Sequence, residues 1–263
     1  FVGVGWYRLD FEAPSFEKGK QATLIFDGAM SHARVYVNGK EAGYWPYGYN
    51  SFHLDVTPYL KAGEINELAV RLENENESSR WYPGAGLYRN VHLVVTEDAY
   101  VPTWGTHVTT PVVKDKFAKV HVETNWTMPK GKKISEYTIA TEILNPEGKK
   151  VNADTRPGDE LDETLFTQEF IVRNPMLWSV ENPHLYTAVS KIYEGDRLVD
   201  EYTTRFGIRT LEIIPEKGFF LNGKLTKFQG VCNHHDLGPL GAAVNDAAIR
   251  RQIRIMKDMG VNA

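Results

Sequence analysis

The side chains best suited to chemistry are four consecutive polar residues that follow a short apolar run: Asn233, His234, His235 and Asp236. They can donate and accept hydrogen bonds, and an imidazole changes its charge near neutral pH. Consecutive residues of a strand point to opposite faces, so His234 and His235 enter one site only if the strand has already ended. Their spacing also lacks a zinc signature. We therefore favour an imidazole that hydrogen-bonds a substrate hydroxyl over a metal site. The alternative is an imidazole that is satisfied by hydrogen bonds within its own surroundings.

Two aromatic loops form a second group of candidates. Residues 44–50 include four aromatic side chains, and residues 79–86 place Arg80 beside Trp81. An aromatic face can stack on a sugar ring while Arg holds hydroxyl groups, so Arg80 and Trp81 are candidate sugar contacts. The alternative is that these rings pack over a sheet edge or against a neighbouring domain.

The elements around the polar group predict how it is held. Residues 227–233 have the pattern of a strand, Asn245 can cap a helix, and Val261 begins another strand. Strand, helix and strand in that order open a parallel α/β fold, and in a (β/α)8 TIM barrel functional groups lie where strands end. One βα unit cannot bury both of its faces. We therefore predict the start of a barrel domain over 211–263, with its remaining strands beyond Ala263.

The predicted helix has one apolar face. Ile249, Ile253 and Met256 recur at the helical period, and Gly260 suits the position after the last turn. The pattern indicates a helix that packs on one side only.

The first 97 residues predict an antiparallel sandwich. Short alternating runs recur without a helix, and Asn38-Gly39 ends one run as a hairpin turn, since both central positions of a type I′ turn need positive φ. We predict a jelly-roll β-sandwich over 1–97. The alternating apolar positions are Leu24 and Phe26; Ala33, Val35 and Val37; Phe52, Leu54 and Val56; and Leu68, Val70 and Leu72.

Residues 98–210 predict a second sandwich. Some seven short strands with turn residues between them fit an immunoglobulin-like fold. The single Cys232 excludes an internal disulfide, so the fold rests on its core. Residues 174–179 and 183–186 predict a corner that anchors one aromatic side chain in that core. No group in this domain is suited to chemistry, so it is interpreted as a spacer.

Composition limits the function classes. The chain has 263 residues, 42% of them hydrophobic and 24% charged, which suits two globular domains and part of a third. Its net charge of −4 gives no basic footprint for nucleic acid. No apolar run approaches the ~20 residues that span a bilayer. The chain starts at Phe1 without Met, so an N-terminal segment is expected to be missing, and the cellular compartment is left open. The aromatic content of 12% suits carbohydrate binding and β-sandwich cores equally.

Motifs along the whole chain resemble the family 2 glycoside hydrolases, and within them the β-galactosidases. These motifs fall into three groups along the chain. The first group looks like the family's sugar-binding domain, the second like its immunoglobulin-like domain and the third like the start of its catalytic barrel. The motifs are Trp6-Tyr7-Arg8, Phe26-Asp27-Gly28, Val35-Tyr36-Val37-Asn38-Gly39 and residues 79–89; then Leu177-Trp178-Ser179 with Pro183-His184-Leu185-Tyr186; and finally Phe206-Gly207-Ile208-Arg209 with residues 230–236.

The resemblance implies a retaining exo-glycosidase that hydrolyses terminal β-D-galactosides with two glutamates, an acid/base and a nucleophile. Both are expected beyond Ala263, so no catalytic residue is assigned here and the chain alone is expected to be inactive. The family's substrate-contacting His corresponds to His234, with His235 and Asp236 as neighbours. Asn233 stands where many relatives have Arg or Lys. The loop with Arg80 and Trp81 is expected to reach the same pocket.

No cofactor is expected within this chain, although the resemblance implies Mg²⁺ near the acid/base of the full-length enzyme. The expected partner is a small carbohydrate, with neither nucleic acid nor membrane, and relatives often form homo-oligomers. Two alternatives stay open. One is a β-glucuronidase or β-mannosidase of the same family, and the other is a non-catalytic carbohydrate-binding module.

Overall fold

The computed structural model describes residues 2–17, 19–78, 84–161, 164–234, 237–243 and 245–263. The chain is mainly β, as predicted. Its contacts divide it into two compact units, Phe1–Thr96 together with Gln229–Ala263, and Glu97–Phe228. The predicted third domain, 211–263, is thereby shared between the two units.

The first unit contains a sandwich of two antiparallel sheets. Its strands are β1 (Gly3–Glu12), β2 (Gln21–Phe26), β3 (Ala33–Val37), β4 (Lys40–Trp45), β5 (Phe52–Asp55), β6 (Ile65–Asn74) and β7 (Val91–Thr96). One sheet has the order β1-β6-β3-β4 and the other the order β5-β2-β7. Only β3 and β4 are neighbours both in sequence and in a sheet, so the other connections cross between sheets, as in the predicted jelly roll.

The core of this sandwich comes from the alternating positions predicted from the sequence. Phe26, Val35 and Val70 are buried, and one cluster unites them with side chains from both sheets. The turn between β3 and β4 has positive φ at Asn38 and Gly39, 52° and 76°, as a type I′ turn requires. The sequence pattern and the hairpin turn therefore fix the same register.

The second unit contains a sandwich of seven strands, as an immunoglobulin-like fold requires. They are β8 (Thr106–Lys114), β9 (Phe117–Asn125), β10 (Tyr137–Leu144), β11 (Lys150–Pro157), β12 (Leu165–Arg173), β13 (Tyr186–Glu194) and β14 (Arg197–Phe206). Their sheets have the orders β11-β10-β13-β14 and β12-β9-β8. Alternate residues of β9, β10 and β12 are buried, so apolar side chains from both sheets fill the space between them.

The predicted corner anchors Tyr186. Its side chain is 2% exposed and its hydroxyl oxygen accepts a hydrogen bond from the Met176 N–H at 2.9 Å. Trp178 lies near the surface instead, where the Arg209 guanidinium stands 4.7 Å from the centre of its ring. The corner therefore buries one aromatic residue, as predicted, and that residue is the tyrosine.

A small antiparallel sheet follows the second sandwich. It consists of β15 (Leu211–Ile214), β16 (Gly218–Leu221) and β17 (Lys224–Leu225). The strand predicted over 227–233 is not assigned, and this part of the prediction was wrong. Gln229 and Val231 make strand-like backbone hydrogen bonds, but no regular ladder is assigned over these described residues.

The α-helix, α1 (Asp246–Asp258), begins where predicted. The Asn245 side-chain oxygen accepts from the Ala248 N–H at 2.9 Å, which caps the first turn. The predicted apolar face is largely open, because 37% of Ile249 and 48% of Ile253 are exposed. Within the described residues, no residue of this helix is buried. None of the helices described is long and apolar enough to cross a membrane.

Candidate functional site in the loops of the first unit

Two of the six predicted substrate contacts lie in the described part of the chain. Asn233 and His234 are exposed and follow one another in a segment without regular secondary structure. The other four lie outside the described residues, so the sugar-contact role of all six stays a prediction. These four are His235, Asp236, Arg80 and Trp81.

The segment that leads into the polar group is paired with the last residues of the chain. The Gln229 carbonyl accepts from the N–H groups of Asn262 and Ala263, at 2.9 and 3.3 Å, and the Val231 N–H donates to the Ala263 carbonyl at 3.3 Å. Ala263 thus bonds to Gln229 and Val231, the two neighbours of Gly230. In parallel strands a residue bonds in this way to both neighbours of the residue opposite it. A Cβ at Gly230 would lie 3.1 Å from the Ala263 carbonyl oxygen, so the two backbones approach closely. The polar group therefore follows a parallel contact directly.

Beyond the polar group, the chain packs on loops of the first sandwich. Ala242 is buried in a small cluster with Met30 and Tyr88, and Tyr49 packs against it. Met30 and Gly86 exchange both of their backbone hydrogen bonds, at 3.0 and 3.1 Å. The cluster joins three loops of the sandwich to the segment after the polar group, which explains why both belong to one unit.

Tyr88 anchors these loops. Its hydroxyl donates to the Gly48 carbonyl at 2.7 Å, within the buried part of the cluster. Burial raises the pKa of the Tyr88 phenol, while the neighbouring Arg89 guanidinium acts in the opposite direction. A Cβ at Gly28 would lie 2.7 Å from the Tyr88 Cζ, so only glycine fits beside the ring without a shift. The phenol therefore acts here as a neutral hydrogen-bond donor.

The aromatic loop over 44–50 contains both packed and exposed rings, and its stacking on a sugar stays a prediction. Trp45 packs on Phe52, with ring centres 5.6 Å apart, and its indole N–H donates to the Asn50 side chain at 3.1 Å. Tyr47 is 55% exposed and meets Tyr49 edge to face at 5.6 Å. The tryptophan therefore packs at the sheet edge, whereas the ring of Tyr47 is exposed.

Polar groups line the same loops. The Asp27 carboxylate lies 3.2 Å from the His92 Nε2, and the Asp27 backbone carbonyl accepts from the Arg89 guanidinium at 3.3 Å and from the Ser51 hydroxyl at 3.1 Å. In the described part of the chain, no three His, Cys, Asp or Glu side chains form a group that could hold a metal ion. The arrangement supplies hydrogen-bonding groups and aromatic faces, which are the means by which proteins hold sugars.

Comparison with known families identifies both sandwiches. Residues 1–97 match the profile described as the sugar binding domain of glycosyl hydrolases family 2, and residues 100–209 match the profile of glycosyl hydrolases family 2. The chain belongs to glycosyl hydrolase family 2. The resemblance predicted from the motifs is thereby confirmed. In this family-2 chain, the first matched range covers the first sandwich and the second matched range covers the second sandwich.

Relatives of the family-2 chain carry two kinds of name. The β-galactosidase BoGH2A of Bacteroides ovatus is 46% identical over 99% of the chain, which spans 31% of that protein. A putative β-glucuronidase of Formosa agariphila is 35% identical over 99% of the chain, which spans 25% of it. A solved family-2 structure from Bacteroides cellulosilyticus has a TM-score of 0.92 and 37% identity, over 99% of this chain and 34% of that one. The family-2 chain thus spans about a third or less of these proteins.

Sequence reasoning missed part of the loop cluster. It did not single out Met30 or Ala242, and it named Tyr88 only within a longer motif. The available signal was the glycines that face them, because a Cβ at Gly48 would collide with the Met30 sulfur just as one at Gly28 would meet Tyr88. A single sequence does not distinguish a glycine needed for close approach from one needed for a turn.

Proposed function

We propose that the protein containing this family-2 chain is a retaining exo-glycosidase that hydrolyses terminal β-D-galactosides. The observation that supports this substrate is the 46% identity, over 99% of the chain, to a relative named a β-galactosidase. Retention needs two carboxyl groups about 5–5.5 Å apart across the scissile bond. Neither is assigned to a residue of this chain, whose proposed part is to bind and orient the sugar.

Within this proposal, His234 hydrogen-bonds a hydroxyl of the bound sugar. Its exposure and its place directly after the parallel contact support this role. Asn233, His235 and Asp236 are proposed as neighbouring contacts. A hydrogen bond that strengthens as the sugar ring distorts contributes to the transition state rather than to ground-state binding. The loop with Arg80 and Trp81 is proposed to hold the same sugar.

A β-glucuronidase is the second candidate. Relatives named β-glucuronidases are 35% and 30% identical over nearly the whole chain. Such an enzyme would have to hold the carboxylate of its sugar with a cationic group, most effectively a bidentate arginine. That requirement separates the two candidates by the charge of the sugar they accept.

The full-length protein tests the proposed substrate. We expect kcat/KM for p-nitrophenyl β-D-galactoside to exceed that for the matching β-D-glucuronide and β-D-mannoside by roughly 100-fold, because a site built for one polar group rejects its replacement. A preference for the glucuronide would establish the second candidate. Binding of galactose without hydrolysis of any of the three would indicate a non-catalytic module. The 263-residue chain alone is expected to hydrolyse none of them.

A single substitution tests the contact of His234. In the full-length protein, His234→Ala is expected to lower kcat/KM roughly tenfold or more, as the loss of one hydrogen bond of about 1.4 kcal/mol would. His107→Ala is the matched control, because it removes an imidazole that is 70% exposed on the second sandwich. If both variants match the wild type, His234 does not contact the substrate.

A further inference from the structure

The outer face of the sheet β1-β6-β3-β4 carries an unusual set of side chains. The register places Trp6 opposite Arg71, and Arg71 opposite Arg34 on the next strand. Two residues farther along, Arg8 lies opposite Ala69, and Ala69 opposite Tyr36. Side chains at these positions share one face because residues of a strand alternate. Aromatic and charged groups therefore meet on a surface where a solvated sheet would carry scattered polar residues.

Trp6 and Tyr36 meet across the strand that separates them. They stand on β1 and β3, which both flank β6, so the two strands are about 9–10 Å apart. The register also offsets the two residues by two positions along β6, because Trp6 is opposite Arg71 and Tyr36 opposite Ala69. Their ring centres nevertheless lie only 5.6 Å apart, with a tilt of 36°. Ala69 on β6, the strand between them, is 5% exposed, and its direct neighbours are Arg8 on one side and Tyr36 on the other. We call this continuous aromatic surface the Trp6–Tyr36 platform.

The platform is open on its outer side. Trp6 keeps 53% of its surface exposed although it contacts Tyr36. Exposed aromatic surface of this kind is costly in water and marks interaction sites more often than single exposed apolar residues do. Its flat shape suits a ligand with a flat apolar face, which the ring C–H groups of a pyranose provide.

Ion pairs between arginines and glutamates surround the platform. The Arg34 guanidinium lies 2.9 Å from the Glu41 carboxylate and also stacks 4.9 Å from the centre of the Tyr44 ring. Two further pairs are Arg71 with Glu73 at 3.0 Å and, longer and more exposed, Arg8 with Glu67 at 3.8 Å. Each cation therefore has its own carboxylate.

The pairing of each of these arginines with a carboxylate determines which ligand charge the platform favours. An anionic chain would have to displace carboxylates from their arginines, and a cationic chain the reverse. A neutral chain can instead use the guanidinium N–H groups as donors and the carboxylates as acceptors for its hydroxyls. Paired charges of both signs around an aromatic surface therefore suit polyhydroxylated, uncharged ligands.

We propose that the Trp6–Tyr36 platform is a binding site for a neutral oligosaccharide, whose pyranose rings stack on Trp6 and Tyr36 while the surrounding arginine–glutamate pairs bind its hydroxyls. The site assigns to named residues a sugar-binding role that the family description of residues 1–97 gives only to the whole domain. It does not depend on which glycosidic bond the protein cleaves. Its consequence is that the protein holds a polysaccharide through the outer face of its first sandwich.

Affinity electrophoresis of the full-length protein tests this site. Native gels contain soluble β-1,4-galactan or galactomannan as neutral probes and polygalacturonate as the acidic probe. The variants Trp6→Ala and Tyr36→Ala remove the rings. Ala69→Leu keeps both rings but inserts a larger side chain beneath them. Leu9→Ala is the matched control, since Leu9 is 60% exposed on the other face of the same strand.

We expect at least one neutral probe to retard the wild type and Leu9→Ala, and the three platform variants to bind it roughly tenfold more weakly, as truncation of a central aromatic contact does. Hydrolysis of p-nitrophenyl glycosides by the platform variants should stay at the wild-type level. This readout separates the platform from the proposed function, which fails if the wild type hydrolyses none of these glycosides or prefers the β-D-glucuronide or the β-D-mannoside.

Four results would overturn the proposal. The wild type could pass both neutral gels unretarded, or bind polygalacturonate alone. Platform variants could bind as the wild type does. Finally, Trp6→Ala could change the molar mass measured by light scattering, or the hydrolysis of a small glycoside, which would make this face a subunit interface or part of the substrate pocket.

Discussion

The two sandwiches are built alike and differ in what their outer faces carry. Each combines a four-stranded with a three-stranded antiparallel sheet, and each buries alternate residues in its core. The first carries the Trp6–Tyr36 platform on its outer face. The second carries ion-paired groups on the outer face of β12-β9-β8, where Glu123 lies between His107 and His121 at 3.3 Å from each.

The difference between the two outer faces indicates which sandwich is expected to bind a ligand. Hydrogen bonds from His107 and His121 lower the pKa of the Glu123 carboxyl, so these groups satisfy one another in contact with water. A solvated face of this kind is complete without a ligand, which supports the interpretation of the second sandwich as a spacer. The exposed aromatic surface of the platform is not satisfied by water in this way, and such surfaces mark interaction sites. We therefore expect the same architecture to serve as support in the second unit and as a binding surface in the first.

Core truncations should affect both sandwiches equally and strongly. Phe26 is fully buried and stacks on Phe52 at 4.8 Å, and Phe170 is 1% exposed in the second core. Phe26→Ala and Phe170→Ala should each lower the free energy of unfolding of their own unit by about 3–5 kcal/mol, through lost burial and an unfilled cavity. Hydrogen exchange of peptides from each unit, followed by mass spectrometry, measures the two effects separately.

The control for this comparison is Ile171→Ala. Ile171 is 39% exposed beside Phe170 on β12, so its truncation should change the free energy of unfolding by no more than about 0.5 kcal/mol. A loss below about 1 kcal/mol for either phenylalanine would mean that its sandwich is not held by the core described.

Removal of two tyrosine hydroxyls, one in each sandwich, should distinguish an effect on stability alone from an effect on stability and activity. Tyr88 donates to the Gly48 carbonyl, and Tyr186 accepts from the Met176 N–H. Tyr88→Phe and Tyr186→Phe each leave one backbone group without its bond, so each should cost about 1–3 kcal/mol of stability. Only Tyr88→Phe should also lower kcat/KM of the full-length protein, because it loosens the loops that pack against the segment after the polar group.

Thermal unfolding and steady-state kinetics at a temperature where both variants are folded measure these effects. Equal losses of activity in Tyr88→Phe and Tyr186→Phe would show that activity follows overall stability. The comparison between a binding unit and a supporting unit would then have no basis in these two contacts.

Much of the fold could be predicted because it follows from local patterns. Alternation gave β2, β3 and β6, and Asn38-Gly39 gave the turn between β3 and β4. The strand over 227–233 was not predictable in the same way, because its composition permits a strand but a regular strand also needs a ladder of backbone partners, and none is assigned over these described residues. A regular strand forms only where a neighbouring strand provides backbone hydrogen-bond partners, and the composition of one segment does not reveal those partners.

The binding surfaces were harder to predict, because they depend on contacts between strands. Trp6 and Tyr36 were noticed as parts of motifs, but only the register shows that their strands both flank β6 and that the two residues stand diagonally across it. The loop cluster depends in the same way on Ala242, a residue type with no chemistry of its own. Sequence spacing identified polar groups that follow one another, such as Asn233 and His234, and missed groups brought together from distant strands.

The smallest effect concerns single carboxylates on the two outer faces. Glu142 accepts from Lys150 at 3.0 Å and from Lys191 at 3.4 Å, and these bonds lower the pKa of its carboxyl. Glu142→Gln should cost at most about 1 kcal/mol, as exposed pairs do. A depressed pKa contributes stability above the unfolded value, about 4.3 for Glu, and this contribution is lost as the pH falls through the folded pKa. The difference between wild type and Glu142→Gln should therefore vanish in acid, as denaturation at several pH values would show.

Glu73→Gln is the matching change on the first sandwich, where it leaves Arg71 without its carboxylate. Its effect on stability should be as small as that of Glu142→Gln. In affinity gels, however, Glu73→Gln should weaken retardation by a neutral polysaccharide and introduce retardation by polygalacturonate, because the rim of the platform gains a positive charge. Glu142→Gln should change neither. If the two variants migrate alike in both gels, the charge balance around the Trp6–Tyr36 platform does not select its ligand, and the contrast between the two outer faces reduces to the aromatic rings alone.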